Sequence, residues 1–488
     1  MPPRTSDLDD LRAGLTGRVI GPGDADYDTS RSVWNGEIDR RPAIVARCAD
    51  PADVATTIRF ARDAGLDLTV RGGGHNFGGD AVSDGGMMIH LGDLNGVSVD
   101  PVGRTARCGG GTTWAQLDAA TQAHGLATPG GTVSHTGVGG LTLGGGFGWL
   151  THEFGLSCDN LLSATVVTAD GRTLRAAADE HPDLFWALRG GGGNFGVVTE
   201  FEFGLHSVGP LVQLGMFFWD LERGQDALRL AREIVDSLPP RMGALIGGST
   251  APPSPFVPPE HHNAPGFSLV VVGFGADDDH ARLVDSVRTS LPPLFDLVTP
   301  MPYAMVQQAL DQTVPWGTLG YQKGVYLSSL SDGAISVAVE QLPRRRSPMS
   351  FMPIHPLGGA FTAVAEDATA FGGPRQPVIA FSIAAIAPTQ ELLDADRSWV
   401  RGFYDRLRPH ALSAGSYVNF MTEFDDDRVR ATFGATKYAR LADIKATYDP
   451  DNVFHHNANI QPEFAAVTSL SDVRREPNVK VRGSAARD

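Results

Sequence analysis

Of the 58 glycines in this 488-residue chain, 30 fall between residues 71 and 200. Glycine takes positive φ angles freely and lets a backbone approach another backbone, or a ligand, more closely than a Cβ permits. Apolar segments with strand or helix spacing separate these glycines, so the region is not low-complexity sequence. Seventeen of them gather in three clusters: Arg71–Gly79 (RGGGHNFGG), Gly137–Gly148 (GVGGLTLGGGFG) and Gly190–Gly196 (GGGGNFG). Successive backbone N–H groups in such loops form concave anion sites, and missing side chains let a pyrophosphate lie against the main chain. Glycines serving as turns in a crowded β-rich domain are the plain alternative. Three clusters in one domain, two of them fed by or feeding strands, favour a dinucleotide.

The arrangement is not the dinucleotide fingerprint G-x-G-x-x-G, which opens a helix after a first strand and has an acidic residue about 20 positions on. The clusters lie far apart and none clearly opens a helix. FAD held by several separate loops therefore fits better than a nicotinamide dinucleotide. The net charge of −16 argues against nucleic acid or an anionic membrane surface as a partner. No apolar run approaches the ~20 residues needed to cross a bilayer. Residues 1–15 lack the apolar core of a secretory signal, and Cys48, Cys108 and Cys158 are too few and scattered for a disulfide framework, so a cytoplasmic protein is expected.

At this length two lobes are expected. In the first, Asp50 and Pro51 start a helix carrying Val54, Ile58 and Ala61 on one face, and Gly65 ends it. A strand over Leu66–Val70 then runs into the first cluster. Further strands are expected at Met87–Leu91, Val97–Asp100 and Thr105–Cys108. A hairpin Ala164–Thr168/Thr173–Ala176 is expected on a type I′ turn at Asp170-Gly171. A helix at Pro182–Leu188 should precede the third cluster and a strand Val197–Phe203 follow it. After about residue 207 the pattern predicts an antiparallel sheet with helices on one face. Its strands include Phe267–Phe274 and Ala334–Gln341, its helices lie near Gly224–Ser237 and Asp277–Ser290, and Pro252–Pro265 forms a surface loop. The fold class is thus α+β and two-lobed. The tail after about Pro462 reads as poorly ordered.

The segments RGGGHNFGG (71–79), GVGGLTLGGGFGWLTHEFGLSCDNL (137–161), DLFWALRGGGGNFGVVTEFEF (183–203), YVNF (417–420) and KYARLADIKATYDPDNVFHHNANIQP (437–462) resemble the berberine bridge enzyme-like FAD-linked oxidases, which have the vanillyl-alcohol oxidase fold. The resemblance covers nearly the whole chain and is weakest between about 210 and 350. It implies an FAD-binding domain over residues 1–207 with a return segment 430–488, and a substrate domain over 208–429. It also implies that His75 bonds the 8α-methyl carbon of the flavin. Many relatives add a second bond from a cysteine to the 6-position, but Val133 stands there in this chain, so a single tether is expected. Cys158 falls where relatives usually carry alanine and reads as a buried, inert thiol. Gly72, Gly73, Gly74, Asn76 and Gly79 are expected at the pyrophosphate. Gly139, Gly140, Gly144, Asp159 and Asn160 should lie along the dinucleotide, Asn194, Gly196, Val197 and Val198 along its adenosine half, and Asn457 at the flavin ring.

The family's general base does not carry over. Several of its oxidases use the final tyrosine of Y-x-N-Y, and here the motif reads Tyr417-Val418-Asn419-Phe420. Phenylalanine cannot accept a proton. Tyr417, Tyr321 and Tyr438 are the remaining candidates, with His135 behind them. The adjacent His455 and His456 point apart on an extended chain with no acidic partner spaced to join them, so no metal is expected. The implied activity is hydride transfer from an alcohol, sugar, amine or phenolic small molecule to covalent FAD, with O2 reoxidising the flavin to give H2O2. A flavin dehydrogenase using another acceptor, a flavin-bearing binding protein without a base, and a nicotinamide-dependent reductase stay open.

Overall fold

The elements expected around the first glycine cluster form, and they feed the chain straight into it. A computed structural model describes residues 5–463 apart from 276 and 424; the tail beyond 463, expected to be poorly ordered, lies outside the described residues. Asp50 caps the helix Pro51–Asp63 by accepting from Asp53 N, and Val54, Ile58 and Ala61 are buried. Gly65, at φ +61°, ends it. The strand Leu68–Arg71 then pairs in parallel with Met87–His90, which pairs in parallel with Ile44–Arg47. Arg18–Ile20 completes this four-stranded sheet on its antiparallel edge.

A second sheet is wholly antiparallel, in the order Val97–Asp100, Thr105–Gly109, Val197–Gly204, Leu161–Val167, Thr173–Ala177. Its last hairpin departs from the type I′ turn expected at Asp170-Gly171. Only Gly171 has a positive φ (+80°), and its N–H bonds Thr168 O, so the reversal runs over Thr168–Gly171 with glycine at the single left-handed position. The second glycine cluster also differs from expectation. It opens a short helix, Val138–Leu143, with Gly137 at the N-cap.

The third sheet has seven antiparallel strands: Phe295–Pro302, Leu211–Asp220, Pro265–Gly273, Met242–Thr250, Met352–Leu357, Val378–Ala387 and Leu319–Leu327. Helices Gly224–Asp236, Asp277–Ser290, Asp332–Gln341 and Gln390–Leu407 contribute Leu228, Val284, Ile335 and Phe403 to one core with Phe217, Leu269 and Phe381 of the strands. One of these helices, Asp332–Gln341, replaces the strand expected at Ala334–Gln341. Ser331 caps it by accepting from Ala334 N, and Ala334, Ile335, Ala338 and Leu342 repeat at helical spacing into the core.

The helical stretch Asp426–Tyr448, broken at Gly434 (φ +72°), and the segment after it bring Tyr438, Leu441, Tyr448 and Ile460 into the core that holds Trp114, Phe185 and Phe201. A fully buried ion pair fastens them. Lys445 Nζ donates to Asp449 Oδ2 at 2.6 Å, to Asn194 O at 2.8 Å and to Phe454 O at 2.9 Å, so all three of its protons are used. Breaking such a pair from one side costs about 3–5 kcal/mol.

Asp118, on the helix Trp114–Gln122, faces the helix Tyr303–Gln308 and accepts from Gln307 Nε2 at 2.9 Å, while its other oxygen is unpartnered. Burial raises its pKa to about 7, against the bond from Gln307. A carboxyl whose folded pKa is raised costs stability above that pKa, and the cost vanishes below the unfolded value of about 3.9. Asp118→Asn is therefore expected to raise the melting temperature at pH 8 and to change it little at pH 4, as thermal unfolding at the two pH values would show.

Candidate active site

The three glycine clusters, remote in sequence, border one cavity of about 1060 Å³. Its lining includes Gly72, Gly73 and Gly74 from the first, Gly137, Gly139 and Gly140 from the second, and Gly191, Gly192, Gly193 and Gly196 from the third. The clusters reach it by touching one another. A Cβ on Gly73 would overlap the backbone of Gly137, and one on Gly137 would sit 2.5 Å from Gly73 N. Gly192 N donates to Leu143 O at 2.9 Å, joining the third cluster to the second.

His75 faces this cavity. Its ring stacks on Trp34, centroids 4.9 Å apart and planes 18° apart, and its Nε2 lies 2.9 Å from His135 Nδ1. Burial, then the neighbouring His135, push its pKa down to about 3, so the imidazole is neutral across the physiological range. Val133 also lines the cavity and packs among Trp34, Phe77 and Val314. The three cysteines are buried, and Cys158 is fully so, with burial raising its pKa well above the usual thiol range.

Of the expected cofactor residues, Gly72, Gly73, Gly74, His75, Asn76, Gly139, Gly140, Gly196, Val197, Val198 and Asn457 line the cavity. Asn457 Oδ1 is buried with no hydrogen-bond partner among the described residues. Five expected residues do not line it, and each is occupied elsewhere. Gly79 admits Ile38, whose Cγ2 would lie 2.7 Å from an added Cβ, and Gly144 admits Asn419 in the same way. Asp159 takes both terminal nitrogens of Arg375 at 2.8 Å in a buried bidentate pair. Asn160 donates to Phe154 O and Leu156 O, both at 2.8 Å. Asn194 donates to Gly191 O and Ala458 O and accepts from Ile460 N, tying the third cluster to the C-terminal segment. These five stand outside the cavity lining and are held by protein partners.

The cavity continues past His75 to the seven-stranded sheet. Alternation along the strands sends Leu214, Met216 and Phe218 from one strand, Ser268 and Val270 from the next, and Phe295 and Leu297 from the edge strand to this face. Phe351, Pro353 and His355 follow the same period two on another. The volume of about 1060 Å³ stands at the upper end of the roughly 300–1,000 Å³ range of ligand pockets. The glycine cradle at one end and the apolar wall at the other divide it chemically.

Among the three candidate tyrosines, only Tyr417 lines the cavity. Its oxygen accepts from Gly146 N at 3.0 Å and from Asn419 Nδ2 at 2.9 Å, and burial raises its pKa well above 10. It is a protonated phenol that fixes the Gly144–Gly146 turn, where Gly146 needs φ +81°. Tyr321 instead donates to Glu423 at 2.9 Å, beside Lys323 and Arg401. Burial would raise the Glu423 pKa, yet these donors outweigh it and hold it at about 2. Tyr438 accepts from Gln461 N and lies under Arg430. Neither of these two faces the cavity.

The sequence reading missed His355. It is buried, lines the cavity, packs edge-on to Phe147 at 5.0 Å and lies 6.2 Å from the Phe420 ring. No hydrogen-bond partner is found for it among the described residues, and its Nδ1 is a buried orphan. Burial lowers its pKa to about 4, leaving a neutral imidazole. The signal lay in the period of its strand, invisible until that strand was paired.

The expectation that His455 and His456 lack an acidic partner is corrected. Asp67, remote in sequence, sits between them, 3.0 Å from His455 Nε2 and bonded to His456 Nε2. Among the described residues no helix is long and apolar enough to cross a membrane.

Comparison with known proteins places these features together. Residues 42–177 match the model of an FAD binding domain, and residues 416–461 match one described as berberine and berberine like. The (R)-6-hydroxynicotine oxidase of Paenarthrobacter nicotinovorans is 31% identical over 92% of this chain and 97% of its own length. The crystal structure of 6-hydroxy-D-nicotine oxidase from Arthrobacter nicotinovorans superposes with a TM-score of 0.80 at 28% identity, covering 92% of this chain and 98% of that one. Glucooligosaccharide oxidase from Acremonium strictum, described with 6-S-cysteinyl, 8α-N1-histidyl FAD, shares the fold at a TM-score of 0.82 and 23% identity, covering 94% and 99% of the two chains.

The Gly73–Gly137 contact supplies a test of the cradle. Gly73→Ala must push the first two clusters apart, and it is expected to weaken FAD retention at least tenfold while the protein still folds. Flavin absorbance per protein after gel filtration checks this, with circular dichroism as the folding control.

Proposed function

Since the chain belongs to the berberine bridge enzyme-like family of FAD-linked oxidoreductases, we propose that it is an oxidase carrying FAD on His75 alone. Its substrate would be a small, largely apolar molecule, dehydrogenated at a carbon that bears an amine or alcohol. One observation carries the choice of substrate: three neighbouring strands of the wall beyond His75 present Leu214, Met216, Phe218, Val270, Phe295 and Leu297, with Ser268 the single polar side chain among them, while Ser249, Thr250 and Gln322 stand on other strands. Each sugar hydroxyl buried against such a surface without a partner would cost about 1–3 kcal/mol. A hydroxynicotine, the compound named for two of the relatives, has one hydroxyl where an oligosaccharide has many and meets this cost far less often.

The residues fit the cofactor by their chemistry. The glycine cradle offers backbone N–H groups to a pyrophosphate, Asn457 offers an unpaired amide oxygen, and neutral His75 offers a nucleophilic nitrogen for an 8α bond like that described for glucooligosaccharide oxidase. When bound, FAD supplies the two-electron acceptor, and O2 takes those electrons as H2O2. The protein's own part is to seat the substrate on the apolar wall, exclude water and receive a proton. Tyr417 holds Asn419 and the Gly146 turn in place. His355 stands beside the position where Phe420 lacks a hydroxyl, and one of its free imidazole nitrogens accepts the substrate's heteroatom proton.

Two tests follow. Acid-precipitated protein should stay yellow and fluoresce on a denaturing gel, and His75→Ala should abolish both; flavin found wholly in the supernatant would sink the tether. In anaerobic stopped flow with a panel of N-methylated arylalkylamines, secondary alcohols and oligosaccharides, the amines or alcohols should bleach the flavin and readmitted O2 should yield H2O2. His355→Ala should slow that bleaching about 100-fold. With its pKa near 4, His355 is already a base at pH 5, so its requirement should not appear as loss of rate between pH 7 and 5. Bleaching by oligosaccharides alone would refute the substrate class.

A further inference from the structure

The pair His75–His135 has no counterpart in the roles assigned so far. His135 lies two residues beyond Val133, in a loop pinned by Asp311. Ser134 N donates to Asp311 Oδ1 at 2.8 Å, and Ser134 Oγ donates to Asp311 Oδ2 at 2.6 Å. The loop is thereby fixed, and the His135 ring comes within hydrogen-bond distance of His75 and beside Trp316, centroids 6.5 Å apart. His135 Nε2 is buried and has no partner. Nothing else among the described residues therefore orients this ring by hydrogen bonding; its one bond is to His75. On the other side Trp34 stacks on the His75 ring and keeps it from turning.

A neutral imidazole carries one proton on two nitrogens, and the partner of one nitrogen decides which is free. Resting on the reading that His75 is the flavin tether, we propose that His135 is its positioning residue. His135 Nδ1 accepts the Nε2–H of His75, leaves the Nδ1 lone pair free to bond the flavin, and takes up the Nε2 proton as that bond forms. The bond made joins His75 Nδ1 to the flavin 8α carbon. The bonds broken are one 8α C–H and the His75 Nε2–H. The electron pair of the C–H bond stays on the flavin as its reduced form. Of the two protons, the one from Nε2 goes to His135 and the other to solvent. Dioxygen, the oxidant of the proposed reaction, then removes two electrons and two protons as H2O2 and restores the oxidised flavin.

A packing role for His135 differs from this one in what it predicts for asparagine. The Asn Oδ1 occupies nearly the place of the His Nδ1 and accepts a hydrogen bond, whereas alanine offers no acceptor. The test is the time course of covalent FAD incorporation in wild type, His135→Asn and His135→Ala, read by in-gel fluorescence after adding FAD to protein from riboflavin-limited cells. Total bound FAD is measured alongside. We expect His135→Ala to bind FAD but attach it at least tenfold more slowly, and His135→Asn, which keeps the hydrogen bond but cannot hold the proton, to attach it faster than His135→Ala and more slowly than wild type. NMR of the isolated histidyl-flavin peptide should show Nδ1 linkage in wild type and a mixture of isomers in whatever His135→Ala product forms. Attachment at the wild-type rate in His135→Ala would overturn the proposal. So would equal loss of FAD binding in both variants, which would make His135 a structural support. If wild type itself releases all its FAD in acid, the tether reading fails first and is recognised as the cause.

Discussion

The close approach of Gly73 and Gly137 is the contact on which the site depends. Each backbone occupies the space a Cβ of the other would need, so the first two clusters meet only because both residues lack a side chain. That meeting sets His75 in the cavity lining and brings the His135 loop against it. The third cluster is held by a different device. Asn194 and Lys445 bind it to the C-terminal segment, with Lys445 reaching Asn194 O, Asp449 and Phe454 O from a fully buried position. A cradle assembled from three distant loops thus has one steric and one electrostatic fastening.

Two kinds of surface border the cavity, and they arise from different levels of the chain. The end bordered by the glycine clusters is main chain. The other end is side chain, delivered by the period-two alternation of an antiparallel sheet whose other face is sealed by four helices. His75 stands where the two meet. Burial keeps His75 and His355 neutral, and a neutral imidazole is what bonding to a flavin and accepting a proton both require.

Much of this was legible in the sequence because it rests on local rules. Caps, turns and glycine clusters are short-range signals, and the helix Pro51–Asp63, the helix Pro182–Leu188 and the strands beside them lie where those signals put them. The strand expected at Ala334–Gln341 became a helix because its apolar residues satisfy helical spacing and Ser331 supplies a cap that outweighs a short run of Ile and Val. Asp159 and Asn194 could not be told from ligand-binding residues, since their partners Arg375 and Ala458 are brought to them only by tertiary folding, whereas Asn160 turns back on Phe154 and Leu156 of its own loop. His355 was hidden for the same reason: its neighbours Phe147 and Phe420 lie far from it along the chain.

A cradle built from peptide groups carries a consequence for how such a protein can diverge. Main-chain donors do not change when side chains do, so mutation can rework Leu214, Met216, Val270 or Phe295 one at a time while the glycine framework stays as it is. Catalytic machinery and selectivity are therefore separately adjustable. A lineage built on this plan can explore new chemistry at its apolar wall without first losing its grip on the prosthetic group.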